Sequence, residues 1–325
     1  MKKVLMTAGI ILVIAALICF GLSVFFDHLG GSVMDASNDF YHNTYLRYLL
    51  FRNCGTGLAA AGVICLVIRI LFRSQYLPSS SYGIHEDNEN GRIFYVNEDP
   101  ESPYVIFYIH GGGYHYDIVL PHWQLIEKLA RKTGAQVVVP TYRLVPFACY
   151  REAYDLIVPE YRKYAEACPD KKIILMGDSA GGGLSLALTE YFKLEGIRLP
   201  DELVLISPWV DVAMENEEME KYQPLDPFLS AESLRFVAKS WADDLDVHDW
   251  KVSPIFGDLK GIHHVTVFAG TNGILYPDIV KCFQMLDQDP SNELIVAEEM
   301  NHVYPLYPIP EAKPAVDKII QVVMR

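Results

Sequence analysis

Basic residues are scarce in this 325-residue chain: 27 Lys and Arg stand against 41 Asp and Glu, for a formal net charge of -14. Without a basic footprint there is nothing to grip a row of phosphates, which argues against nucleic acid as a partner and for a neutral or cationic substrate. Cysteine is sparse too. Cys19, Cys54, Cys65, Cys149, Cys168 and Cys282 form no C-x-x-C pair and no compact framework, so zinc sites and stapled loops are not indicated and the six read as buried thiols. Internal repeats and low-complexity tracts are also missing. What is abundant is apolar surface: 51% hydrophobic residues exclude a disordered chain and suffice for one large domain with an additional element.

Part of that apolar content is concentrated at the N-terminus. A run from Val4 to Phe26 follows Lys2 and Lys3 and has the length of a helix that crosses a hydrocarbon core. It is longer than a signal-peptide core and has no small-x-small cleavage site, so it reads as a retained anchor. A second run, Cys54 to Phe72, is just long enough to span, the alternative being a buried helix. Residues 1–78 are therefore expected to form a membrane anchor with candidate helices 4–26 and 54–72. Lys2, Lys3, Arg69 and Arg73 outnumber Arg47 and Arg52 in the connection, which predicts cytoplasmic ends and a cytoplasmic catalytic domain. A single span would reverse that side.

From residue 79 to 325 short β-rich runs alternate with amphipathic stretches, the pattern of a mostly parallel sheet covered on both faces. Strands are predicted at Arg92–Val96, Tyr104–His110, Gln136–Thr141, Lys172–Gly177, Leu203–Ser207, His264–Ala269 and Glu293–Ala297. The stretch 211–249 is longer than a crossover needs and predicts a small cap.

Two motifs carry chemistry. Gly177-Asp178-Ser179-Ala180-Gly181-Gly182 lies between a buried strand and a helical run, Leu184 to Phe192. A serine raised on a sharp strand-to-helix bend needs small residues two positions to either side, and Gly177 and Gly181 supply them. The helix that follows directs its positive end toward a developing oxyanion. Upstream, His110-Gly111-Gly112-Gly113 ends a strand, and its bare amides can converge on a substrate oxygen. Gly112, Gly113 and Ala180 are the expected oxyanion donors, with Ser179 as nucleophile. His110 is expected to brace the loop and not to act as a base. Tyr114, Trp209, Phe228 and Trp241 are pocket walls or ordinary packing.

These motifs closely resemble the hormone-sensitive-lipase-like branch of the α/β-hydrolases over about residues 102–325. Tyr142-Arg143-Leu144-Val145-Pro146 and Ile206-Ser207-Pro208-Trp209-Val210-Asp211 are similar to further landmarks of that branch, in the same order. The resemblance implies an α/β-hydrolase fold with a mostly parallel central sheet and a small cap. It also implies hydrolysis of small or medium acyl esters, or lipid-like substrates, through an acyl-enzyme, with no metal and no cofactor.

In this fold the base follows the last strand, which selects His302 in Glu299-Met300-Asn301-His302-Val303-Tyr304; His263 and His264 precede a strand and fall at its wrong end. The resemblance further implies an Asp or Glu two or three residues after Gly270. Those positions hold Asn272 and Gly273. An Asn cannot supply the negative charge that stabilises imidazolium, and in a serine protease this exchange lowers turnover by about 10⁴. Three readings are open. Asp278, one helical turn on, reaches His302, or instead serves as a helix-start residue. Ser179 and His302 work as a dyad. Or the chain has lost turnover and is a membrane-tethered binding protein. An amidase or peptidase is the rival enzyme, requiring stronger protonation of the leaving group.

Overall fold

The computed structural model describes residues 82–88 and 90–325, which lie within one compact unit, Ser80–Arg325. The expected anchor, residues 1–78, with its candidate helices 4–26 and 54–72, lies outside the described residues. Among the described residues no helix is long and apolar enough to cross a membrane.

Eight strands form one sheet: β1 (Tyr82–Asn88), β2 (Gly91–Val96), β3 (Tyr104–Ile109), β4 (Gln136–Tyr142), β5 (Lys172–Asp178), β6 (Glu202–Ile206), β7 (Val265–Gly270) and β8 (Glu293–Ala297). Their order is β1-β2-β4-β3-β5-β6-β7-β8. From β4 onward every neighbouring pair is parallel, while β2 runs antiparallel to both β1 and β4. The seven strands anticipated from the sequence are all present within a residue or two. The eighth, β1, was not anticipated: Tyr-Gly-Ile-His-Glu-Asp-Asn has little of the β-branched character that marks a strand.

Crossovers between parallel strands need helices, and these cover both faces. They are α1 (Leu120–Thr133), α2 (Tyr150–Ala167), α3 (Ser179–Leu194), α4 (Met219–Tyr222), α5 (Ala231–Ala242), α6 (Tyr276–Met285) and α7 (Ala312–Met324). The two-residue period of a strand divides the core in two. Val105, Phe107 and Ile109 of β3 join one apolar layer with α2, α3 and α5, whereas Ile106 and Tyr108 join the other with α1 and α7. Central strands buried on both faces explain why β5 and β6 read as unbroken apolar runs. Between β6 and β7, the stretch anticipated as a cap carries α4 and α5. The C-terminal ends of β3, β5, β6 and β7 place the loops that bear the site side by side.

Candidate active site

Ser179 opens α3 directly after β5 with φ of +52°, a left-handed backbone that a residue with a side chain rarely adopts. The tightness of the bend explains its glycines. A Cβ on Gly177 would stand 2.3 Å from the Gly181 carbonyl oxygen, and one on Gly181 would stand 2.1 Å from that of Ile109. Ser179 Oγ and His302 Nε2 are 2.8 Å apart, joining residues 123 positions distant in the chain. Both are buried, at 8% and 5% exposure. His302 is reached through a loop whose next residue, Val303, is itself left-handed with φ of +50°; the Val303 amide donates to Ser207 Oγ at 3.0 Å.

The His110–Gly113 loop is fastened to the bend by the residue that precedes Ser179. Asp178 is buried and accepts from the Tyr108 hydroxyl at 2.8 Å and the Gly111 amide at 3.0 Å, with His122 Nε2 at 3.2 Å. Burial alone would raise the Asp178 pKa, but the His122 charge and these hydrogen bonds bring it below the usual carboxylate range. Burial alone would lower His122, and the same pairing raises it instead. The pairing, with the bonds from Tyr108 and Gly111, holds α1, β3 and the bend together. Sequence reasoning missed His122 and Tyr108, whose role depends on a meeting of three segments.

Gly112 and Gly113 have φ of +114° and +58°, which turns the loop over the bend. Neither amide donates to another described residue, and the Ala180 amide lies in the first turn of α3, where intrahelical acceptors are lacking. Three candidate donors are thus left for a ligand oxygen. His110 braces this loop: its ring stacks on Tyr142 at 4.6 Å, its Nδ1 bonds the Gly111 carbonyl at 2.7 Å, and burial lowers its pKa. Tyr114 is left-handed too, donates to the Ala180 carbonyl at 2.9 Å, and stacks on Trp241 of α5 at 3.8 Å and on Trp209 at 5.5 Å. Those three aromatic residues are fully buried, joining insertion to loop, while Phe228 is 60% exposed and stacks on Tyr307.

The imidazole at position 302 has an incomplete hydrogen-bond set. His302 Nδ1 is buried without a partner. Burial lowers the His302 pKa to about 4, against a smaller upward pull first from Asp226 and then from Asp178. The carboxylates and amides anticipated for this role are engaged elsewhere. Asn272 donates to the Glu299 carbonyl at 2.9 Å. Asp278, in the first turn of α6, accepts from Asn216 at 2.7 Å, and burial raises its pKa to about 6. Its other oxygen is buried and unpartnered, so the structure does not join Asp278 to His302. Asp226 was not among the residues singled out from sequence. Among the described residues no group of His, Cys, Asp and Glu is arranged to hold a metal ion.

Residues 106–306 match the family described as having the alpha/beta hydrolase fold. An esterase of Acinetobacter venetianus is 36% identical over 185 residues, a match that covers 56% of this chain and 61% of that protein's length. An acetyl-hydrolase of Streptomyces hygroscopicus is 30% identical over 218 residues, covering 66% of this chain and 73% of that protein. The crystal structure of a hormone-sensitive lipase from a metagenome library is 25% identical and superposes with a TM-score of 0.68, covering 77% of this chain and 86% of that one.

Proposed function

Since the chain belongs to the α/β-hydrolase fold family, in its hormone-sensitive-lipase-like branch, we propose that it is a serine carboxylic-ester hydrolase acting on small or medium acyl esters or lipid-like substrates. The observation that carries this reading is the 2.8 Å approach of Ser179 Oγ to His302 Nε2 beneath uncommitted amides. As the Oγ–carbon bond forms, the Ser179 proton passes to His302 Nε2 and the carbonyl π electrons move onto oxygen. Gly112, Gly113 and Ala180 donate to that oxyanion. Collapse expels the alcohol, which takes the proton from His302. Water, deprotonated by the same imidazole, then releases the acid and restores the serine.

The lack of a carboxylate at positions 272 and 273 favours esters over amides, whose leaving groups need stronger protonation. The unpartnered Nδ1 favours a second reading, a hydrolase-derived binding protein with little turnover. A fluorophosphonate probe separates the two. Labelling and p-nitrophenyl ester turnover that both vanish in Ser179→Ala support the enzyme; equal labelling of the two proteins ends it.

The apolar runs at 4–26 and 54–72 support a further part of the proposal, that the hydrolase is tethered to a membrane with its catalytic domain on the cytoplasmic side. Full-length protein that leaves the membrane fraction in alkaline carbonate, without detergent, would contradict the tether.

A further inference from the structure

We propose that Asp226, from the insertion between β6 and β7, is the positioning carboxylate of His302, taking the part of the acid that position 273 lacks; this rests on the serine-hydrolase reading above. The geometry begins at Gly273. A Cβ there would lie 3.7 Å from both Cα and N of His302 and 3.4 Å from the Gly270 oxygen, ordinary contacts in a place with room for a side chain. The chain supplies none from that position. Instead, the amide of the next residue, Ile274, donates to Asp226 Oδ2 at 2.9 Å across 48 positions of sequence.

Asp226 is 7% exposed and cannot swing freely, because its other oxygen accepts from the amides of Phe228 at 2.9 Å and Leu229 at 3.0 Å. Three amide donors fix the position of the carboxyl group. The same turn is fastened to the chain beyond the base, where the Phe228 ring meets Tyr307 at 5.7 Å. The turn is thus fastened at Ile274, next to residue 273, and at Tyr307, five residues beyond the base in sequence. Burial depresses the imidazolium, and of the charges that oppose that depression Asp226 acts more strongly than Asp178. The other anticipated groups are engaged away from the ring, Asn272 with Glu299 and Asp278 with Asn216.

A fixed carboxylate matters when the Ser179 proton moves to Nε2 and the ring becomes cationic. Negative charge held nearby lowers the energy of that state, and it orients the ring if the Nδ1 proton faces it. Asp226 touches no reacting atom, so its action passes through His302.

The test uses the full-length protein and p-nitrophenyl acetate, with Asp226→Asn, Gly273→Asp and the double variant. Asp226→Asn lowers kcat by about 10²–10³ with KM within about threefold, and moves the acid limb of the pH profile to lower pH. Adding Gly273→Asp to it recovers at least about tenfold, since a carboxylate returns from the other side; a purely structural role for Asp226 predicts no such rescue. Gly273→Asp alone changes kcat by less than about threefold, because the position is already served. A folded Asp226→Asn with wild-type kcat and an unmoved pH profile overturns the proposal. So does a gain of about a hundredfold in Gly273→Asp alone, a result that does not require Asp226→Asn to fold. A wild type that neither turns over esters nor takes the fluorophosphonate at Ser179 sinks the hydrolase reading first, whereas an active wild type with an indifferent Asp226 sinks this inference alone.

Discussion

The buried imidazole sets where acid stops the reaction. His302 must be neutral to accept the Ser179 proton, and burial, against a smaller opposing pull from Asp226 and Asp178, lowers its pKa from 6.5 to about 4. At pH 5.5 an ordinary histidine is about nine-tenths protonated, but one at about 4 is roughly 97% neutral, so almost all activity is retained. Stability follows the same group. The unfolded chain takes up the proton near 6.5 and the folded one near 4, so acid favours the unfolded state. The contribution is fully present above 6.5, and about 3 kcal/mol of it is lost as pH falls from there through 4. The assay is kcat/KM for a p-nitrophenyl ester from pH 3.5 to 8, read at the isosbestic wavelength of nitrophenol, with each sample returned to neutral pH to exclude irreversible loss. Asp278, raised to about 6, titrates within that window, so the series is repeated in Asp278→Asn. A midpoint at or above 6 that persists in this variant refutes the reasoning, because it requires a solvated or charge-stabilised imidazole.

Two further substitutions probe the parts that hold the site. Asp178→Asn removes the charge from a buried pair with His122 while keeping its shape; stability falls by about 3–5 kcal/mol, measured by urea unfolding, and an unchanged midpoint would refute a charged pair there. Ser207→Ala leaves the Val303 amide without its acceptor beside the base, which costs about 1–3 kcal/mol and lowers kcat more than it raises KM; a loss of stability with kcat intact would show that His302 is held by other means.

Local geometry made the serine bend readable. A serine with left-handed φ needs no Cβ at Gly177 or Gly181, and that demand is written within five residues of sequence between an apolar strand and a helix. Chain order alone pointed to His302, which the fold brings within 2.8 Å of Ser179, and the sheet was legible from central strands whose apolar runs mark burial on both faces. The groups that escaped notice share a different property. Asp226 meets Ile274, His122 meets Asp178, and Tyr108 meets Asp178 across 48, 56 and 70 positions, and each is an ordinary residue until the fold brings it to its partner. Asp278 illustrates the converse: nearness along the chain suggested a partner for His302, but α6 directs it to Asn216. Sequence distance was a poor guide here because it does not show that the β6–β7 insertion returns to the end of β7, where Asp226 accepts from the Ile274 amide.

That arrangement divides the site into two hydrogen-bonded halves. Ser179 and the oxyanion glycines are tied together through Asp178, which joins β5, the loop after β3 and α1. His302 belongs to a separate set, in which Asn272 bonds Glu299, Ser207 bonds Val303, and Asp226 bonds Ile274. Nucleophile and base meet directly in the hydrogen bond between Ser179 and His302. The first half rests on the central strands and the second on the edge side of the sheet and the insertion. The insertion also contacts the first half, through the face-to-face stack of Trp241 on Tyr114, whose hydroxyl donates to the Ala180 carbonyl. It therefore touches both halves, at Ile274 through Asp226 and at Tyr114 through Trp241.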